Sequence, residues 1–180
     1  MNIKLRPCLE FVWRATAIHM ITYFAVGILA MNVLDYENLF VNEHLKGFMR
    51  PTGDPVTALG PGLQLIRGLI FGLVLWPFSE VFLNRKAGWL PLWLLLAGLG
   101  IFSTFGPAIG SVDGMIYTLI PVREQLVYLP ELLLQSFLLA LLLWLWYRKP
   151  HIAWNILAGL LLALILFLSL VGYLYLKASS

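Results

Sequence analysis

Hydrophobic residues gather in five long stretches, and charged residues gather between them. The stretches cover residues 11–34, 63–82, 89–105, 126–147 and 152–176. A bilayer core about 30 Å thick needs about 20 apolar residues per helix. Lipid offers no hydrogen-bond partners to the backbone, so each crossing segment must be helical. The pattern therefore predicts an all-α, polytopic integral membrane bundle with five transmembrane helices.

Composition and charge agree with this class. Of the 180 residues, 61% are hydrophobic and 12% are charged, whereas about a quarter are charged in a typical soluble domain. We expect one membrane domain over residues 1–180. The net charge of +3 does not indicate nucleic acid, because no Lys/Arg-rich run with interleaved aromatic residues is present. Membrane lipids are the expected partners, and another membrane protein is a further candidate.

The basic residues predict an orientation. They lie before the first span, between the second and third, and between the fourth and fifth: Lys4, Arg6, Arg85, Lys86, Arg148 and Lys149. Loops rich in Lys and Arg stay in the cytoplasm. The N-terminus is therefore expected in the cytoplasm and the C-terminus outside, with long outer loops at 35–62 and 106–125. Within the first of these loops, residues 36–49 alternate apolar and polar side chains, which predicts a short interfacial helix.

Two charges lie inside predicted spans at similar depth. Arg67 follows the start of the second span by four residues, and Glu131 follows the start of the fourth by five. At about 1.5 Å per residue, both would lie in the outer third of the bilayer, and an ion pair between them is predicted. Gln64 shares a helix face with Arg67, and Gln135 shares one with Glu131.

These four side chains predict a polar cluster between the second and fourth spans, and His19, near the middle of the first span, could extend it inward. Burying a charge at mid-bilayer costs at least about 2.5–3.5 kcal/mol, so such residues pair, bind a ligand or reach an interface. The cluster is therefore either a structural lock between two helices or a ligand site. For His19 the alternatives are a hydrogen-bonded packing residue and a proton-transfer group.

A second candidate ion pair joins Arg14 to Glu80, near the inner ends of the first two spans. Both residues are close enough to water to extend toward it instead of pairing. Gly68 and Gly72 form a GxxxG motif on the second span, which permits close helix approach. We expect it to pack against a neighbour in the same chain. The fifth span, with few polar groups, is expected to be peripheral.

Motifs for known chemistries are missing from the chain. It contains no HExxH, GxSxG, P-loop or dinucleotide fingerprint. Its single cysteine, Cys8, and three histidines do not predict a metal site. We therefore expect no metal and no cofactor, and catalysis is not favoured.

The sequence leaves three functional hypotheses open. The first is a non-catalytic accessory or scaffold subunit of a membrane assembly. The second is a lipid-binding or lipid-processing protein whose polar site lies between the second and fourth spans in the outer leaflet. The third is a transporter subunit that acts as an oligomer. The chain resembles small bacterial membrane proteins of four to six spans, a resemblance that implies no activity, and we expect it in the bacterial inner membrane.

Overall fold

The structure is a computed structural model that describes residues 5–102 and 106–179. Over these residues the regular secondary structure is entirely helical. This confirms the all-helical part of the predicted fold class. The α-helices are α1 (Leu5–Val33), α2 (Tyr36–Leu39), α3 (Pro55–Leu75), α4 (Ser79–Leu83), α5 (Trp89–Phe102), α6 (Val112–Tyr117), α7 (Val122–Leu126), α8 (Leu129–Arg148) and α9 (Ile152–Ser179), and a 3₁₀ turn, Trp76–Phe78, joins α3 to α4.

Four helical segments are long and apolar enough to cross a membrane: Leu5–Val33, Pro55–Leu83, Val122–Arg148 and Ile152–Ser179. They correspond to four of the five predicted spans, the first of which was predicted to end one residue after Val33. The remaining span corresponds to α5, whose 14 residues extend about 21 Å at 1.5 Å per residue, less than the bilayer core of about 30 Å. Residues 103–105 of that predicted span lie outside the described residues.

Three pairs of contacting helices run in opposite directions. On α1 and α3, Thr16 lies against Gly68 and Val12 lies against Gly72, so rising residue numbers on one helix meet falling numbers on the other. The same reversed order joins α3 to α9 and α5 to α8, through the pairs Gly62–Ser169, Ala58–Gly172, Gly100–Leu132 and Trp89–Phe137. The GxxxG motif therefore packs within the chain, as predicted.

One end of the bundle collects the basic turns. The indole nitrogen of Trp144, near the end of α8, donates to the carbonyl oxygen of Arg85 at 3.0 Å. The guanidinium carbon of Arg14 lies 5.9 Å from the ring centroid of Trp146. One end of the bundle, which we call the basic end, thus contains the turns 84–88 and 149–151 and the first half of α1. The connections 34–54 and 106–128 lie at the opposite end, the loop end.

Helix α3 begins eight residues before the predicted span, at Pro55. Asp54 caps it, because its carboxylate accepts the backbone N–H of Val56 at 2.8 Å. The same carboxylate accepts a hydrogen bond from Arg50 at 2.8 Å, and that bond, with the cap, lowers the pKa of Asp54. The prediction that residues up to 62 remain a loop was wrong, because this cap starts the helix ahead of Pro61.

A side chain from α9 supports the helix around Pro61. Proline removes a backbone N–H and crowds the preceding turn. The Ser169 hydroxyl donates to the carbonyl of Ala58 at 2.6 Å and accepts the N–H of Gly62 at 3.2 Å. It thereby bridges two backbone groups that an undisturbed helix would join directly. Hydroxyl side chains commonly restore such bonds in membrane helices.

Helix α9 is attached to the bundle along one face only. Besides Ser169, its Asn155 accepts a hydrogen bond from the indole of Trp13 at 2.9 Å, while Ala158, Leu162 and Ile165 are buried. Most of its remaining apolar side chains are exposed. The sequence prediction of a peripheral helix is compatible with this arrangement, and the few polar residues of α9 attach it to α1 and α3.

Candidate functional site

A cavity of about 300 Å³ is bordered by four of the five residues of the predicted polar cluster. His19 contributes from α1, Arg67 from α3, and Glu131 and Gln135 from α8. Apolar wall residues come mainly from α5 and α8, and the connection 106–128 closes one side. The fifth predicted member, Gln64, contacts His19 from α3. The cavity thus lies among α1, α3, α5 and α8, and not between two helices as the sequence suggested.

His19 is 2% exposed and is held from one side. Its Nε2 lies 3.2 Å from Gln64 Oε1. The amide nitrogen of Gln64 donates to the carbonyl of Gly60 at 3.3 Å, which directs the amide oxygen toward the histidine. His19 Nε2 is then the donor, and in a neutral ring Nδ1 remains as an acceptor. Nδ1 is buried and has no hydrogen-bond partner among the described residues.

Arg67 is exposed at the edge of the cavity. Its guanidinium carbon lies 5.9 Å from the ring centroid of Phe71. Within 5–102 and 106–179, Arg67 makes neither an ion pair nor a hydrogen bond. The predicted ion pair with Glu131 is therefore not formed. The two side chains border the same cavity, and the carboxylate of Glu131 is used by a residue that the sequence did not single out.

That residue is Tyr36, in the first connection of the loop end. Its hydroxyl donates a hydrogen bond to the carboxylate of Glu131. Tyr36 is 8% exposed and stacks on Phe40, with ring centroids 4.7 Å apart. Burial, and then the bond to Glu131, raise the pKa of Tyr36 well above its ordinary value. The predicted interfacial helix over 36–49 is reduced to α2, a single helical turn that presents these two rings to α8.

The two long connections touch each other above the cavity. Tyr36 packs beside Tyr128, with ring centroids 5.9 Å apart. His44 Nδ1 lies 3.0 Å from Glu124 Oε1, which joins the first connection to α7. Tyr128 also borders the cavity, and its hydroxyl is buried without a hydrogen-bond partner in the described part of the chain. The connection 106–128 therefore borders the cavity directly, and the connection 34–54 packs against it through Tyr36 and His44.

The second of these connections is built around Gln125, a fully buried side chain. Its amide nitrogen donates to the carbonyls of Gly114 and Ile120, at 3.1 and 2.8 Å, and lies 3.2 Å from the hydroxyl of Thr118. A Cβ at Gly114 would lie 2.0 Å from a backbone oxygen of Ala108, so only glycine fits there. These bonds fix the path of the chain that delivers Tyr128 to the cavity.

The second predicted ion pair is also not formed. Arg14 Nη2 lies 3.6 Å from Glu10 Oε2, one helical turn earlier on α1, and the Arg14 side chain is 15% exposed. Glu80, on α4, is exposed. A partner at i−4 on the same helix is in reach whatever the relative depth of the two helices. Arg14 therefore pairs with the local carboxylate of Glu10. Neither residue borders the cavity.

Sequence reasoning missed Tyr36, Tyr128 and Gln125. Tyr36 carries only a weak sequence signal, an aromatic residue at the start of an alternating segment, and nothing in the sequence links it to Glu131, which follows 95 residues later. Tyr128 and Gln125 lie beside the start of the fourth predicted span, where a tyrosine reads as an interfacial residue. Their roles depend on contacts between the two connections.

The cavity therefore combines several polar groups on an apolar wall. It presents a guanidinium, a carboxylate, the amide of Gln135, the hydroxyls of Tyr128 and Ser136, and a ring nitrogen. Over the described ranges, no three His, Cys, Asp or Glu side chains are grouped as metal ligands would be. Such a set suits the hydrogen bonding and charge pairing of a polar, anionic group.

Comparison with known proteins gives no match: no family model, no curated protein and no solved structure is significantly similar to this chain.

Proposed function

We propose that this multi-pass membrane protein binds the headgroup of an anionic amphiphile in the cavity beside Arg67 and leaves the apolar part of that molecule in the bilayer. The observation that carries the proposal is Arg67 itself. This guanidinium borders the cavity and makes no ion pair with any described residue. An intramembrane charge is costly unless it is paired or solvated, and a phosphate or carboxylate would supply the missing anion in bidentate geometry.

The neighbouring groups favour a headgroup that also carries hydroxyls. His19 Nδ1 and the Tyr128 hydroxyl are both buried without partners in the described residues. Leaving a buried polar group unpaired costs about 1–3 kcal/mol. A ligand that donates to the ring nitrogen and bonds the phenol would recover that free energy. Glu131, held by Tyr36, would accept hydrogen bonds from the hydroxyls of such a headgroup.

The size of the cavity limits what it can hold. Its volume of about 300 Å³ is at the lower end of small-molecule sites, and one water occupies about 30 Å³. A polar headgroup fits this space, whereas a whole lipid with two acyl chains does not. The exposure of Arg67 provides an open edge through which the apolar part would extend into the membrane.

The predicted topology would place this site in the outer half of the bilayer. With α5 as a fifth crossing, the alternating helix directions put the basic turns on one side, and the positive-inside rule makes that side cytoplasmic. The loop end, with both long connections, then faces outward. Since Cys8 is the only cysteine, a Cys8→Ser background allows a direct test. A cysteine at Glu43 should label from outside and one at Arg85 from inside, and the opposite pattern would overturn this orientation.

The binding proposal is tested by native mass spectrometry of the full chain extracted gently from its own membrane. Wild-type protein should retain an anionic amphiphile, and Arg67→Gln should lose it. A hydrogen bond to a charged group contributes about 1.5–3 kcal/mol, so affinity should fall by about tenfold to about a hundredfold. The matched control is Arg123→Gln, which removes the same charge from an exposed position on α7 outside the cavity.

Two outcomes would contradict the proposal. One is equal retention of the amphiphile by Arg67→Gln and Arg123→Gln. The other is loss of binding by Arg67→Gln together with loss of its thermal unfolding transition, which would make Arg67 a structural residue. The scaffold and oligomeric-transporter hypotheses stay predictions, since no contact within the described residues points to a partner surface.

A further inference from the structure

A second cavity lies at the basic end of the bundle, apart from the site of Arg67. It has a volume of about 330 Å³ and is enclosed by α1, α8 and α9. Its walls are apolar and include Ile18 from α1, Leu145 from α8 and Leu157 from α9. Among the described residues that line it, Lys149 is the only charged one. The cavity is thus an apolar groove with a single cation beside it.

Lys149 is well placed to meet an anion. It is exposed, immediately follows the last residue of α8, and makes no ion pair with a described residue. Its neighbour Arg148 turns its guanidinium over Trp144, 5.5 Å from that ring centroid. Between positions 132 and 180 the sequence contains no Asp or Glu, so no acidic side chain of α9 and none from the rest of α8 competes for Lys149.

The shape of the groove favours a single extended chain. Its α9 wall runs from Trp154 to Leu161, a distance of about 10 Å along the helix. A helix of that length, about 10 Å across, would occupy roughly 800 Å³, more than twice the volume of the groove. An extended alkyl chain is much thinner. The length also fits within one leaflet, whose apolar half is about 15 Å thick.

Two tryptophans mark the polar edge of the groove. Trp146 and Trp154 both line it, and indole rings prefer the level of lipid headgroups. Trp154 is 51% exposed, and the indole nitrogen of Trp146 is buried without a partner in the described chain. Lys149 and these rings therefore belong at headgroup level, while Leu161 lies deeper. A lipid whose phosphate lies at Lys149 would therefore extend its acyl chain along the groove toward Leu161.

We propose that this groove binds one acyl chain of an anionic phospholipid whose phosphate pairs with Lys149. The site is independent of the amphiphile proposed to bind near Arg67, because the two cavities share no lining residue and lie toward opposite ends of the bundle. A groove that bound acyl chains without regard to the headgroup would bind anionic and zwitterionic lipids equally. Recognition here comes from the charge of Lys149.

The test uses the full chain in neutral detergent, titrated with dioleoylphosphatidylglycerol or dioleoylphosphatidylcholine and followed by native mass spectrometry. One lysine near an anionic lipid should give about a fivefold preference for the anionic lipid. Lys149→Gln should abolish that preference. Lys86→Gln removes an exposed cation of the same end outside the groove and should leave the preference unchanged. An unchanged preference in Lys149→Gln, or no preference in wild type, would overturn the proposal.

The chain position is tested separately. Leu157→Trp should fill the groove and weaken binding of both lipids, whereas Ile156→Trp, on the neighbouring exposed position of α9, should not. Equal binding by these two variants would exclude the groove as the acyl-chain site. A measurement that leaves the groove unblocked uses phosphatidylglycerol with brominated acyl chains. It should quench indole fluorescence more in wild type than in Trp154→Phe, and equal quenching would also exclude the groove.

Discussion

The close contact between α1 and α3 makes a sharp prediction about Gly72. A Cβ built at this position would lie 2.8 Å from the Cα of Val12, and one at Gly68 would lie 2.9 Å from the Cα of Thr16. Both obstacles are backbone atoms, which cannot turn aside as a flexible side chain would. Gly72→Ala should therefore push the two helices apart.

The expected magnitude follows from that geometry. Overpacking of a well-packed contact costs about 1–3 kcal/mol, which for a chain of this size lowers the melting temperature by roughly 2–12 °C. Gly27, on α1, has no atom within 4 Å of its added Cβ. Gly27→Ala should be neutral or slightly stabilising, because alanine is the better helix former. Gly68→Ala with Gly72→Ala should cost less than the sum of the two, since one helix displacement relieves both clashes.

Thermal unfolding of the purified variants in detergent checks this prediction, with circular dichroism as the readout. The reasoning would be refuted if Gly72→Ala and Gly27→Ala unfolded at the same temperature. A separation of α1 from α3 should also lengthen the 3.2 Å contact between His19 and Gln64. Gly68→Ala is accordingly expected to weaken retention of the amphiphile, whereas Gly27→Ala is not.

Two further predictions concern the loop end and α9. The raised pKa of Tyr36 means that its bond to Glu131 supports the covering connection below the ordinary tyrosine pKa of about 10, and that this support declines as the pH rises further. A spin label at Glu43 should therefore gain mobility above that pH in wild type. In Tyr36→Phe the label should already be mobile at neutral pH. Identical pH profiles of the two proteins would contradict the role given to the bond between Tyr36 and Glu131. Ser169→Ala removes the hydroxyl that bridges two backbone groups around Pro61, and should destabilise the chain by about 1–3 kcal/mol in thermal unfolding. Ser136→Ala, whose hydroxyl bonds only within its own helix, should change stability less, and an equal effect of the two would argue against the bridge.

Hydropathy along the chain was sufficient to predict the helical class, the places of the four long apolar segments and the grouping of basic turns. These properties are local: about 20 consecutive apolar residues predict a helix wherever it packs. The same holds for Gly68 and Gly72. Their spacing on one helix predicts a close contact with another helix, but it does not identify that helix. The polar positions His19, Arg67, Glu131 and Gln135 were also visible, because charges and amides are rare in apolar segments.

What each of those polar groups contacts was decided by tertiary structure. Arg67 and Glu131 were expected to pair because their sequence positions suggested equal depth, yet Tyr36 takes the carboxylate from a connection 95 residues away. The cap at Asp54 starts α3 earlier than the apolar stretch, so twelve residues precede Arg67 in its helix.

Hydropathy reports only whether a residue prefers lipid. Whether a charge is paired depends on which side chains the packed helices and covering loops bring within hydrogen-bond distance, and distant parts of the chain set those distances together.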